Sequence, residues 1–140
     1  MKASIDIPHI HIPGEGSGRL SVTFHVSDGD TTARILFVDE WKMAREIELD
    51  SSELELVRDV LSTDAETMRK KGASLKLESD DLAFIISATN RGEPYRDGFD
   101  FNVEREWEGY PIFVEIDECR AFARAIGKML KDGHSPAPSR

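Results

Sequence analysis

The sequence predicts an α+β domain of antiparallel, hairpin-built sheets with two helices, in the order ββββα-ββββα. Short runs of alternating apolar and polar residues are separated by turn-forming dipeptides, and an apolar stripe at helical spacing follows each set of four runs. Ile47-Glu48-Leu49-Asp50 before the first stripe also resembles Val114-Glu115-Ile116-Asp117 before the second, each with a Glu-Trp pair upstream, which points to an internal pseudo-repeat.

Ser4 to Ile12 and Arg19 to Val26 read as strands joined by a flexible loop, Pro13-Gly14-Glu15-Gly16-Ser17-Gly18. Asp28-Gly29 as a two-residue turn sets Leu20, Val22 and Phe24 opposite Phe37, Ile35 and Ala33 on one face. Trp41, Met43, Arg45, Ile47 and Leu49 alternate again and predict a fourth strand. Ser52 with Glu55 fits a capping box for a helix whose Leu54, Val57, Val60 and Leu61 share a face, with Gly72 ending the helical region.

In the second half, Leu75 and Leu77 face Phe84 and Ile86 across an Asp80-Asp81 turn, and runs Phe99 to Glu108 and Tyr110 to Ile116 flank Glu108-Gly109. The last helix starts near Asp117, places Cys119, Phe122, Ile126, Met129 and Leu130 on one face, and stops before Gly133. One core is expected to hold Phe24, Ile35, Phe84, Val103 and Phe122. Residues 1–131 then form a single domain, followed by a mobile tail over 132–140.

With 140 residues, 39% hydrophobic and 32% charged, the composition is that of one folded domain rather than a disordered chain. The start lacks an apolar run behind a basic leader and no later stretch is long and apolar enough to span a bilayer, so the expected location is the cytoplasm. The single cysteine, Cys119, forms no internal disulfide and reads as a core residue. A formal charge of −9 repels phosphate backbones, which argues against nucleic acid and for a basic protein partner.

His9 and His11 share a strand face, and the expected register brings His25 diagonal to His9, so three imidazoles could approach a metal. No carboxylate in the local pattern would orient them, and no metal is expected. The glycine-rich loop is followed by a strand rather than a helix, so it is a hairpin connection and not a phosphate cradle. No nucleophile motif with a linked base is present and no cofactor motif is found, so the protein is not expected to be an enzyme.

Along Phe99 to Glu108, Phe99, Phe101, Val103 and Trp107 alternate with Asp100, Asn102, Glu104, Glu106 and Glu108, giving a carboxylate ladder on one strand face. Such a face is either solvated and balanced by neighbouring cations or a docking surface, with Asp100, Glu104, Glu106 and Glu108 as its contact residues. Arg120, Arg124, Lys128 and Lys131 form an opposite stripe on the last helix, complementing its C-terminal dipole.

From Trp41 onward, the strand and helix of Ile47 to Leu61, Gly72-Ala73-Ser74-Leu75, Arg91-Gly92, and Phe99-Asp100-Phe101 leading to Ile116-Asp117 and a final helix resemble bacterial immunity proteins of the WapI type. The resemblance implies a cytoplasmic, non-enzymatic inhibitor that neutralises a toxin domain by stoichiometric binding. Two other readings stand beside it: a small-molecule or metal-binding domain using the histidine hairpin, and an enzyme whose site is assembled across the sheet.

Overall fold

A computed structural model describes residues 9–16, 18–27, 30–39, 41–63, 67, 70, 74–79, 81–91, 96–105, 109 and 111–134. Strands β1 (His9–Pro13), β2 (Arg19–Ser27), β3 (Asp30–Val38) and β4 (Ala44–Leu49) form one antiparallel sheet in sequence order, followed by helix α1 (Ser51–Ser62). Strands β5 (Ser74–Ser79), β6 (Leu82–Arg91), β7 (Arg96–Arg105) and β8 (Ile112–Glu115) repeat the arrangement as a second four-stranded sheet, followed by helix α2 (Ile116–His134). The pseudo-repeat is thus architectural, each half a four-stranded meander capped by a helix.

The register follows from side-chain period and turn length. Ser27 pairs with Asp30, leaving two residues for the turn, and this places Phe24 opposite Ala33, Val22 opposite Ile35 and Leu20 opposite Phe37. Ile10 pairs with Val22 and Ile12 with Leu20. In the second sheet Leu75 pairs with Ile86 and Leu77 with Phe84.

The inner faces of both sheets and one face of each helix meet in a single core containing Phe24, Ile35, Phe84, Val103 and Phe122. Cys119, Phe122, Ile126, Met129 and Leu130 line the buried side of α2, as their helical spacing requires. Thr31 Oγ1 donates to the Met129 carbonyl near the end of α2, and Ser51 at the start of α1 donates to the Thr31 carbonyl. Arg120 near the start of α2 donates to the Leu61 and Thr63 carbonyls at the end of α1. The helices therefore run antiparallel, and Arg120 serves the C-terminal end of α1 rather than of its own helix.

Several boundaries differ from the expectations. The capping box uses Asp50 and Glu53, two residues ahead of Ser52 and Glu55: Asp50 Oδ1 accepts from the Glu53 amide at 2.9 Å and Glu53 accepts from the Asp50 amide at 3.0 Å. Trp41 and Met43 precede β4 instead of belonging to it. Helix α2 passes through Gly133 to His134, since one glycine in a last turn costs only about 1 kcal/mol relative to alanine.

The first loop is docked, not free. The Glu15 amide donates to the Phe113 carbonyl of β8 at 2.8 Å. A Cβ on Gly14 would collide with the Ile112 side chain, so only glycine permits this approach. Gly72, the Asp28-Gly29 turn, Glu106, Trp107, Glu108 and residues 135–140 lie outside the described residues. Among the described residues no helix is long and apolar enough to cross a membrane.

Candidate functional site

Because successive side chains on a strand alternate between faces, burying Leu20, Val22, Phe24, Ala33, Ile35, Phe37, Ile47 and Leu49 turns a defined set outward. Three rows cross this outer face at successive pairings. His9 lies beside Thr23, Arg34 and Glu48; His11 beside Ser21, Leu36 and Glu46; Pro13 beside Arg19, Val38 and Ala44. His25 pairs with Thr32 next to the first row.

His9, His11, Arg19, His25 and Arg34 are all exposed. The outward positions of β1 and β2 include no carboxylate; the acidic residues are Asp30 at the start of β3 and Glu46 and Glu48 on the edge strand β4. Arg34 reaches Glu46 at 3.8 Å with both side chains more than half exposed, a pair too solvated to hold the guanidinium tightly.

The imidazoles are held in place. His9 Nδ1 is hydrogen-bonded to Thr23 Oγ1 at 2.8 Å and His11 Nδ1 to Ser21 Oγ at 3.1 Å. The two rings meet edge to face with centroids 4.7 Å apart. With the Nδ1 atoms turned to hydroxyls, His9, His11 and His25 do not converge on one point, and among the described residues no group of three or more His, Cys, Asp or Glu could hold a metal. The metal-binding reading of this hairpin therefore loses its geometry.

The hydroxyl–imidazole pairs have the composition of two members of a catalytic triad, but they sit on an open face without a carboxylate on β1 or β2. Cys119 is equally unsuited to nucleophilic work. Its thiol is buried, donates to the Val114 carbonyl at 3.5 Å, and burial pushes its pKa up to about 12.

Among the described residues, the carboxylate ladder is not the open, solvated face that alternation suggests. Asp100, Asn102 and Glu104 are half-buried, and Phe113, beside Asp100 on the same face, is fully buried. The chain returns over them at Gly109, where a Cβ would lie 2.6 Å from Asn102 Oδ1 and 3.2 Å from Glu104 Cγ. Asn102 Nδ2 donates to Glu104 Oε2 at 3.1 Å. Glu106 and Glu108 lie outside the described residues.

Residues that the sequence reading passed over are Arg19 and Arg34. Its own register placed both on the histidine face, a signal that the net charge of the whole chain concealed. The stripe on α2 is also real, with Arg124, Lys128 and Lys131 exposed. It faces away from the first sheet, because the opposite side of α2 packs into the core.

No protein-family profile matches the sequence, and no curated protein does. The fold, however, recurs among solved structures. The plant transcriptional regulator PBF-2 superposes with a TM-score of 0.54 at 11% identity, over 93% of this chain and 84% of that one. WHY3 from Arabidopsis thaliana gives 0.54 at 10% identity over 93% and 90% of the two chains, and WHY1 from the same plant gives 0.56 at 10% over 94% and 87%.

These matches correct the resemblance to WapI-type immunity proteins, and with it the toxin-neutralising function and the basic toxin partner. The segments that suggested it, Ile47 to Leu61 and Phe99-Asp100-Phe101 with the final helix, are what any ββββα unit needs to bury one sheet face under a helix. The alternatives of a small-molecule or metal-binding domain and of an enzyme do not match the neighbours either. The exclusion of nucleic acid is overturned as well, since the solved structures that share this fold include one described as a plant transcriptional regulator. Net charge averages over the whole surface, whereas binding depends on how charge is distributed between faces.

Proposed function

We propose that this chain is a non-enzymatic, regulatory nucleic-acid-binding module that receives a single strand across the outer face of the β1–β4 sheet. The observation that carries the reading is the concentration of three exposed imidazoles and two guanidiniums on that face, with no carboxylate on the outward positions of β1 and β2. A fold shared with a transcriptional regulator supports it.

Single-stranded bases can be splayed out of their stack and laid on flat side chains, histidine and arginine among them, while a duplex keeps its bases inside. A sheet face suits this, since its side chains stand in rows and neighbouring strands are about 4.8 Å apart. Here His9, His11 and His25 supply ring faces, Ser21, Thr23 and Thr32 supply hydroxyls for base edges, and Arg19 and Arg34 supply cations for phosphate. Glu46 and Glu48 on the β4 edge of the same face repel the strand and keep it on the β1–β2 side.

Fluorescence anisotropy of labelled single-stranded oligonucleotides, titrated at several salt concentrations, tests the reading. Two phosphate contacts predict a shallow salt dependence, with a log–log slope of about −1.4 for a single strand. Arg19→Glu with Arg34→Glu is expected to weaken binding by about tenfold or more, while Arg124→Glu with Lys128→Glu on α2 leaves it unchanged. Absence of binding at low salt overturns the function. Loss confined to the α2 variant overturns the site.

A further inference from the structure

The turn between β3 and β4 is built with more care than a connection needs. Asp39 is only 3% exposed, and its Oδ1 accepts from the Trp41 amide at 2.8 Å and the Met43 amide at 3.0 Å. The Asp39 amide donates to the Met43 carbonyl, and the Lys42 amide donates to the Asp39 carbonyl. Lys42 takes a left-handed conformation, φ 67°, to close the loop. Burying a carboxylate is costly unless amides compensate it, so this arrangement holds the turn in one shape.

What the rigid turn presents is Trp41, 69% exposed, with Lys42 exposed beside it. The turn engages residue 41 through its backbone amide, which any residue other than proline could supply. The indole is thus not required by these turn hydrogen bonds, and a large exposed aromatic is an unusual surface residue. Its position is also informative. Val38 pairs with both Arg19 and Ala44, so the turn stands at the Arg19 end of the outer face.

We propose that Trp41 is a stacking platform for a base of the single strand at the point where it leaves the β1–β4 face past Arg19, with Lys42 meeting an adjacent phosphate. This deepens the function proposed above and rests on it. The backbone that carries the indole is already fixed, so ordering it adds little to the cost of binding, which suits a sequence-tolerant stack on one base.

The sequence contains two tryptophans, so Trp107→Phe in the full chain leaves Trp41 as the sole indole reporter. This protein is titrated with oligo-dT and with an abasic phosphodiester of equal length. Oligo-dT is expected to quench the emission, while the abasic backbone binds in a salt-dependent way without quenching. Trp41→Ala should weaken oligo-dT binding by about tenfold and leave the abasic affinity unchanged; Trp41→Phe should retain most of the binding. If Trp41→Ala binds oligo-dT like the parent while Arg19→Glu with Arg34→Glu does not, the platform is overturned and the face stands. If the parent binds no oligonucleotide, the face and the platform fall together.

Discussion

Thr31 Oγ1 donates to the main-chain carbonyl of Met129 at 2.9 Å, tying the third strand to the last helix across ninety-eight positions of sequence. Thr31 is fully buried. Thr31→Val keeps the shape and removes the donor, which is expected to cost about 0.5–1.5 kcal/mol in urea unfolding. A variant as stable as the parent would show that the bond contributes nothing net.

Phe122 sits between the sheets and α2, 1% exposed, with its ring centroid 6.4 Å from that of Phe101. Truncation to alanine leaves a cavity among side chains from both halves and should cost about 3–5 kcal/mol. Chemical denaturation checks it, and a loss below about 1 kcal/mol would mean that the core collapses to fill the space.

Cys119 links stability to alkaline pH. Burial raises its thiol from 9.0 to about 12, so as pH rises the unfolded thiol ionises first while the folded one keeps its proton. The unfolded state then binds fewer protons, and the stabilisation from the neutral thiol, complete below pH 9.0, is lost progressively toward about pH 12. The stability difference between parent and Cys119→Ala should shrink as pH rises above 9.0 toward about 12. A constant difference would refute the linkage. The native thiol should also resist disulfide reagents at neutral pH and react only on unfolding.

Asp50 gives the opposite sign at acid pH. Its carboxylate accepts the Glu53 amide and the Ser52 hydroxyl, which holds its pKa below 3.8. The cap therefore stabilises fully above that value and weakens as pH falls through the depressed pKa. Asp50→Ala should cost about 1 kcal/mol at neutral pH, whereas Asp50→Asn keeps an accepting oxygen and should cost less. Equal losses in the two variants would assign the effect to charge rather than to the cap.

A strand glycine offers a sharper test of packing. A Cβ on Gly98 would overlap the Val114 carbonyl and stand 2.7 Å from the Phe113 ring, so the β7–β8 pairing has room only for hydrogen at this position. Gly98→Ala is expected to destabilise the chain by about 1–3 kcal/mol, read as a lower denaturation midpoint. A neutral effect would mean that β8 can shift without loss.

Hairpin register was legible because a two-residue turn and a period of two leave only one pairing that buries Leu20, Val22 and Phe24 together. The start of β4 was not, since Trp41 and Met43 keep the alternation going through a turn whose shape is set by Asp39 and a left-handed Lys42. The helix cap was misplaced because Asp50 and Ser52 are both good caps. The choice is tertiary: Ser51 bonds to Asp30 and Thr31, which fixes where the chain enters the helix. The histidine face could be read from its pattern. Its charge could not be read from the total of −9, because that sum is blind to which residues share a face.

The bond from the Glu15 amide to the Phe113 carbonyl has a consequence for biosynthesis. A chain emerging from the ribosome completes its first meander and α1 long before β8 exists, so the first hairpin loop must wait, hydrated and undocked, for a segment synthesised much later than itself. Nascent chains arrested before Phe113 should therefore leave the Glu15 amide open to solvent exchange even when β1 and β2 have paired, and protection there would mark the moment at which the two halves join.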